Sequence, residues 1–203
     1  TNGAIIIDDT NATVYAKASI THTAGATAET AKIFIDVQTG DFVLNGSINV
    51  TQKGFDAGYG TGKGTSGNGA GGGGYGGEGC NGAVGAGGIT YGSLTQPVNL
   101  GSGGGTDPAS SIGGGGALKL SVHGTLTIAG TIAANGGQAY SGGNNIGGGS
   151  GGSVYLITGT LSGSGTVAAN GGGGGGSPIA GAGGGGRIAL YYTANSSTVS
   201  FSA

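Results

Sequence analysis

Residues 124–137 read GTLTIAGTIAANGG, and residues 159–172 read GTLSGSGTVAANGG. Ten of the fourteen positions are identical at an offset of 35 residues, so this is an internal repeat. The run Thr125-Leu126-Thr127-Ile128 alternates with period two and is rich in β-branched residues, the pattern of a strand with one face buried. Ahead of the two copies stand further strand-like runs, Ala117-Leu118-Lys119-Leu120 and Ser153-Val154-Tyr155-Leu156. A third, Arg187-Ile188-Ala189-Leu190, follows the second copy. Each of these runs comes directly after a glycine tract, at 113–116, 147–152 (broken by Ser150) and 183–186. The module is strand, turn, strand, Gly, short strand, Asn-Gly-Gly, a glycine excursion, and back.

Outward from the repeat, a more diverged copy precedes it: Lys32 to Val37, Asp41 to Leu44, then Gly46-Ser47-Ile48-Asn49-Val50. Its excursion covers about 54–116, whereas the later two are short, about 136–152 and 171–186. Alternation also marks Thr13-Val14-Tyr15-Ala16-Lys17-Ala18-Ser19-Ile20. A period near 35 that recurs marks a stacked array, in which neighbouring units complete one core. The expected fold class is all-β, as one unit. N-terminal strands occupy 1–53, a long glycine-rich excursion 54–116, two strand-plus-glycine repeats 117–186, and C-terminal strands 187–203. A β-solenoid-like stack is the first reading of the strand core, and a jelly-roll β-sandwich with glycine excursions is its rival.

Glycine supplies 56 of the 203 residues, and 52 of them lie within 54–186. That content excludes a helical bundle, since glycine costs about 1 kcal/mol per helical site relative to alanine. Three prolines and no strict triplet exclude collagen. A net charge of −2 is too small for charge-driven disorder. Glycine tracts can adopt the extended threefold helix, which has no internal hydrogen bonds. Neighbouring strands of a sheet lie about 4.7–4.9 Å apart. Excursions leaving successive modules therefore emerge close enough for bare backbones to bond to one another. The expectation is a packed, polyglycine II-like layer beside the strand core.

Six Lys and Arg spread over the chain make no basic stripe, which argues against nucleic acid. No apolar run approaches the length of a membrane span. There is no methionine, and the expectation is an extracellular or cell-surface protein secreted after signal-peptide removal. Sequons at Asn11, Asn45, Asn49 and Asn195 are compatible with a secreted surface. The single cysteine, Cys80, has no internal disulfide partner.

Catalytic chemistry has little to work with. Ala57 to Thr65 has the outline of a phosphate-binding loop, but Ala57 replaces its first glycine and Gly64 its Ser or Thr. His22 and His123 are far apart, and with Cys80 they do not complete a zinc set. All eight acids lie at or before Asp107, outside the two clean repeats. Asp8-Asp9, in a turn-like segment, is a calcium candidate whose ligand count is unreadable. No catalytic residue, cofactor site or metal site is expected, and the chain reads as not an enzyme.

The GTLTIAGTIAANGG and GTLSGSGTVAANGG units, each followed by a glycine tract and a strand such as GGGGRIALYY, resemble glycine-rich repeat regions of large secreted bacterial surface proteins and adhesins. The L-x-I-x-G-x-I-x-A-N-G-G run is similar to rungs of right-handed β-helix adhesins. The tracts are similar to polyglycine bundles of phage tail-fibre tip adhesins, insect antifreeze proteins and receptor glycine-rich domains. The resemblance covers 113–193 well and 31–112 loosely. It implies surface display, adhesion and fibre building, and transfers no catalytic motif.

Two functions follow as expectations. The first is a non-catalytic extracellular structural subunit or segment of a fibre, filament or matrix. It would pair with copies of itself through terminal strands, Ala4, Ile5, Ile6 and Ile7 at one end and Val199 and Phe201 at the other. The second is a tip adhesin that binds glycans or a cell surface through the glycine-rich loops. Tyr59, Tyr75, Tyr91 and Tyr140 sit in glycine territory. They either pin the glycine layer or present aromatic faces to a ligand.

Overall fold

A computed structural model describes the chain apart from residues 1–4, 8–10, 26, 107–111, 140–144 and 177–178. It is an all-β protein. The strands are β1 (Ile5–Ile7), β2 (Asn11–Val14), β3 (Ser19–Ile20), β4 (Ile33–Val37), β5 (Asp41–Leu44) and β6 (Ser47–Asn49). They continue with β7 (Ala117–Ile128), β8 (Thr131–Ala133), β9 (Ser153–Ser162), β10 (Thr166–Ala168), β11 (Arg187–Asn195) and β12 (Ser200–Ser202).

Every pairing among these strands is parallel. The first sheet runs β1-β4-β7-β9-β11, with β2 and β5 joining along the second half of β7. The second runs β3-β6-β8-β10-β12. A jelly roll pairs its strands antiparallel, so the sandwich alternative does not describe this chain. The sequence offset reappears as register: Thr166 pairs with Thr131 and Val167 with Ile132, 35 residues apart.

Inward residues of successive units stack in columns. Ile35, Leu120 and Leu156 share one register, Phe42, Leu126 and Leu161 a second, and Ile48, Ile132 and Val167 a third. All nine are at most 3 % exposed. Each contributes roughly 1.5–3 kcal/mol by burial, so the short strands are held by their columns rather than by their own length.

Two corners differ from the sequence expectation. The alternation of Thr13 to Ile20 breaks into β2 and β3, because Lys17 takes φ +70° and turns the chain. In the third and fourth units the first two strands fuse into β7 and β9, with a register shift between Val122 and Thr125. Thr158 stabilises this bulge: its hydroxyl lies 3.0 Å from the carbonyls of Gly124 and Thr160 and accepts from the Leu126 N–H at 3.2 Å. Thr158 is 5 % exposed, so these bonds form away from water.

The excursions leave after β6, β8 and β10 and return into β7, β9 and β11. They begin already bonded: Val50 N–H donates to the Ala133 carbonyl at 2.7 Å, and Ala134 N–H to Ala168 at 2.7 Å. Further out, glycine segments bond to several neighbours at once. Gly147 N–H donates to Gly105, Gly148 to Gly181, Gly149 to Gly137 and Ser150 to Ser102, at 2.9–3.0 Å. Gly172 N–H returns a bond to Gly149, and Gly73 one to Gly148, both at 2.9 Å. Four consecutive residues thus donate to three different segments, the first and fourth to the same one, a pattern that neither a helix nor a flat sheet produces. The approach is too close for side chains: a Cβ on Gly147 would lie 1.9 Å from the Gly71 carbonyl oxygen.

Candidate functional site

Two features carry the chemistry of the described residues, a tyrosine-centred junction and the open ends of the strand stack. The junction ties the long excursion to the strands. Tyr75 is fully buried, and its hydroxyl lies 2.6 Å from the Ser153 hydroxyl at the start of β9. Ser153 in turn donates to the Asn99 carbonyl at 2.5 Å. Tyr91 packs on Tyr75 with ring centroids 4.8 Å apart. Its hydroxyl donates to the Leu100 carbonyl at 2.5 Å and lies 2.8 Å from the Ser102 hydroxyl.

Arg187, the first residue of β11, reaches into this junction. Its guanidinium donates to the Tyr91 carbonyl at 3.0 and 3.1 Å and sits 5.5 Å from the Tyr75 ring centre. On the other side, Glu29 Oε1 accepts from the Leu100 N–H at 2.9 Å and from Asn99 Nδ2 at 3.1 Å, while its second oxygen pairs with Lys32 at 3.0 Å. Burial pushes the Tyr75 phenol above its usual range, against the opposing effect of the Ser153 bond and Arg187. Burial likewise pushes the Tyr91 phenol well up, against its bond to Ser102. Both phenols are held neutral, as hydrogen-bonding pins rather than acids.

The aromatic residues singled out in the sequence therefore divide. Tyr75 and Tyr91 are not surface contacts: Tyr75 has no exposure, and Tyr91 is partly buried against it. Their hydroxyls need partners out of water, and Ser153 and Ser102 supply them. Tyr59 is exposed, at 47 %. Tyr140 lies outside the described residues. The structure also exposes apolar residues that the sequence reading passed over, Val84 at 73 % and Ile179 at 79 %. The Ala83 N–H donates to the Ile179 carbonyl, so the two neighbourhoods meet.

Among the described residues, the ends of the stack present unpaired strand edges: at one end β1 pairs only with β4, β2 only with β5 and β3 only with β6; at the other, β11 pairs only with β9 and β12 only with β10. Ile5, Ile6 and Ile7 form β1, which pairs with β4, while Ala4 lies outside the described residues. Phe201 lies on β12 in register with Val167 and is 43 % exposed, whereas Val167 is 1 % exposed. Val199 immediately precedes β12 and, partly buried, packs against the core. Ile188 and Leu190, in register with the fully buried Val154 and Leu156, are only partly buried.

Other candidates stay apart. No group of three His, Cys, Asp or Glu side chains converges among the described residues; Asp8 and Asp9 lie outside them. Cys80 is an exposed free thiol. His22 Nδ1 donates to the Thr23 carbonyl at 2.6 Å, leaving Nε2 buried without a partner. Burial lowers the His22 pKa, and the nearby Lys53 charge lowers it further. The four sequon asparagines are exposed. No helix among the described residues is long and apolar enough to cross a membrane. No protein-family model, no curated protein and no solved structure matches the chain.

Proposed function

We propose that the chain is a non-enzymatic structural unit of an extracellular fibre or matrix, built as a β-solenoid of five rungs with a polyglycine II-like layer along its side. β1 to β3 form the first rung, β4 to β6 the second, and each later rung consists of one long and one short strand. The glycine layer stiffens the stack by bonding the excursions of different rungs to one another. Secretion to a cell surface fits the low charge and exposed sequons, and the resemblance to surface proteins and adhesins gives the same reading.

The single observation that carries the proposal is the difference between the last two levels of the inward columns. Val154 and Leu156 are fully buried, whereas Ile188 and Leu190, one rung on, are only partly covered. A further parallel rung would cover them and satisfy the free edges of β11 and β12. The β1–β3 rung of a second copy offers that edge in the same strand direction. This is a heterologous contact, which generates an open filament when its rotation does not close.

Electron microscopy and sedimentation of the purified chain, with Phe201→Asp as the comparison, test this. The account expects filaments or concentration-dependent oligomers that the charged substitution abolishes. Particles that stay monomeric at all concentrations would refute it. A second reading, an adhesive tip at the outer end of the glycine layer, draws on the exposed Val84 and Ile179. It predicts that Val84→Ser with Ile179→Ser lowers attachment to cells without altering the oligomeric state.

A further inference from the structure

The outer face of the first sheet carries a groove that neither the fibre nor the glycine layer uses. It encloses about 320 Å³ and is lined by Phe34 and Asp36 of β4, Lys119 and Ser121 of β7, and Val98. The strand pattern places these groups there. Ile33, Ile35 and Val37 point into the core, so Phe34 and Asp36 point outward. Phe34 pairs in register with Lys119, and Asp36 with Ser121. The four side chains therefore form a two-by-two patch on adjacent strands.

The wall opposite this patch is anchored. Residues 93–100 form a strap across the strands, and three side chains hold it. Tyr191 donates to the Thr95 carbonyl at 3.0 Å, Ser153 to the Asn99 carbonyl, and Glu29 accepts from both Asn99 and Leu100. Val98 lies between these anchors. The Lys119 ammonium is placed by the Tyr155 ring, 5.5 Å from its centre. A groove with fixed walls binds without first ordering them.

The charges restrict the occupant. Asp36 and Lys119 face the same space and make no ion pair or hydrogen bond among the described residues. An apolar ligand would strip water from two unpaired charges, which is costly. An anion would meet Asp36 and a cation Lys119. A neutral ring with adjacent hydroxyls avoids all three penalties. A hydroxyl both donates and accepts, so one can donate to the Asp36 carboxylate while its neighbour accepts from Lys119 or Ser121. The apolar C–H face of such a ring suits the flat face of Phe34. The volume lies at the small end of ligand pockets, about 300–1,000 Å³, which fits one sugar ring or a short saccharide.

We infer that the groove between Phe34, Asp36, Lys119 and the 93–100 strap is a binding site for a neutral pyranose unit. It is independent of filament formation, because its residues are not on the end rungs.

Saturation-transfer NMR with the methyl pyranosides of glucose, galactose, mannose and N-acetylglucosamine tests it, with a free zwitterionic amino acid as the control. At least one pyranoside is expected to receive saturation and to shift the amides of residues 34–36 and 119–121. Phe34→Ala and Asp36→Asn are each expected to weaken that binding by about tenfold or more, equivalent to about 1.4 kcal/mol. Both side chains point away from the core, so thermal unfolding should change little, and Phe201→Asp should leave binding intact. Three results would overturn the site: no pyranoside bound, binding of the zwitterion alone, or binding indifferent to both groove substitutions.

Discussion

The backbone N–H of Asn170 donates to the side-chain oxygen of Asn135 at 2.8 Å, and the two asparagines hold the same position in consecutive repeats. The bond therefore joins one rung to the next where the chain leaves the strands for the glycine segments. Ala168 and Ala133, two residues earlier, are the last paired residues of β10 and β8. Asn135→Ala removes the acceptor and leaves the Asn170 N–H to solvent. The expected loss is about 0.5–1.5 kcal/mol, read as a lower denaturation midpoint with an unchanged slope.

Steric tolerance should differ sharply between neighbouring glycines. A Cβ at position 147 would sit 1.9 Å from a backbone oxygen, whereas at position 173 its nearest neighbour is the Gln138 side chain at 3.6 Å. Gly147→Ala must push two backbones apart and should cost about 1–3 kcal/mol or more. Gly173→Ala should be neutral or stabilising by up to about 1 kcal/mol, through reduced freedom of the unfolded chain. Parallel melts of the two variants check this, and equal behaviour would speak against a packed glycine layer.

Tyr75→Phe retains the ring packing on Tyr91 and removes only the hydroxyl. Ser153 keeps its bond to the Asn99 carbonyl, so no strand group is orphaned. A loss of about 1–2 kcal/mol is expected, seen in chemical denaturation. An unchanged midpoint would mean that the junction does not support the fold.

Stability should fall at both pH extremes, for separate reasons. The folded His22 pKa is lowered below its ordinary 6.5. The unfolded chain therefore binds the proton first, and stability present above about pH 6.5 declines as pH falls below it. The Tyr75 and Tyr91 phenols are raised above 10. The unfolded chain loses those protons first, so stability present below about pH 10 declines as pH rises further. Melting temperature followed across pH should show both flanks. His22→Phe should reduce the acid-side slope and Tyr75→Phe the alkaline one.

What the sequence disclosed about this fold follows from chemistry that repeats. GTLTIAGTIAANGG and GTLSGSGTVAANGG sit 35 residues apart, and Thr131 pairs with Thr166 at that spacing, because identical neighbours favour in-register stacking. The corner at Lys17 was hidden, since nothing in an alternating run announces a positive φ at a lysine. Fusion of the first two strands into β7 was hidden too, because it depends on Thr158, a residue of the next rung. The burial of Tyr75 could not be read locally, since its hydroxyl partner Ser153 is 78 residues away and the intervening glycines carry no pattern that points to it. The signal that was available, a serine heading β9 and an arginine heading β11 directly after glycine tracts, marks where such a junction would form. The groove of Phe34, Asp36, Lys119 and Ser121 joins strands separated by the whole long excursion, so only register reveals it.

The central claim is that the glycine segments form an ordered layer whose backbones bond to one another. Amide hydrogen exchange, resolved at Gly147, Gly149, Gly172 and Gly183, tests it most directly. Each of these N–H groups donates to a carbonyl of another glycine segment. The account predicts protection comparable to that of Leu120 and Leu156 in the strand core. Exchange at the rate of an unstructured peptide at these four positions, with the strand amides still protected, would contradict it.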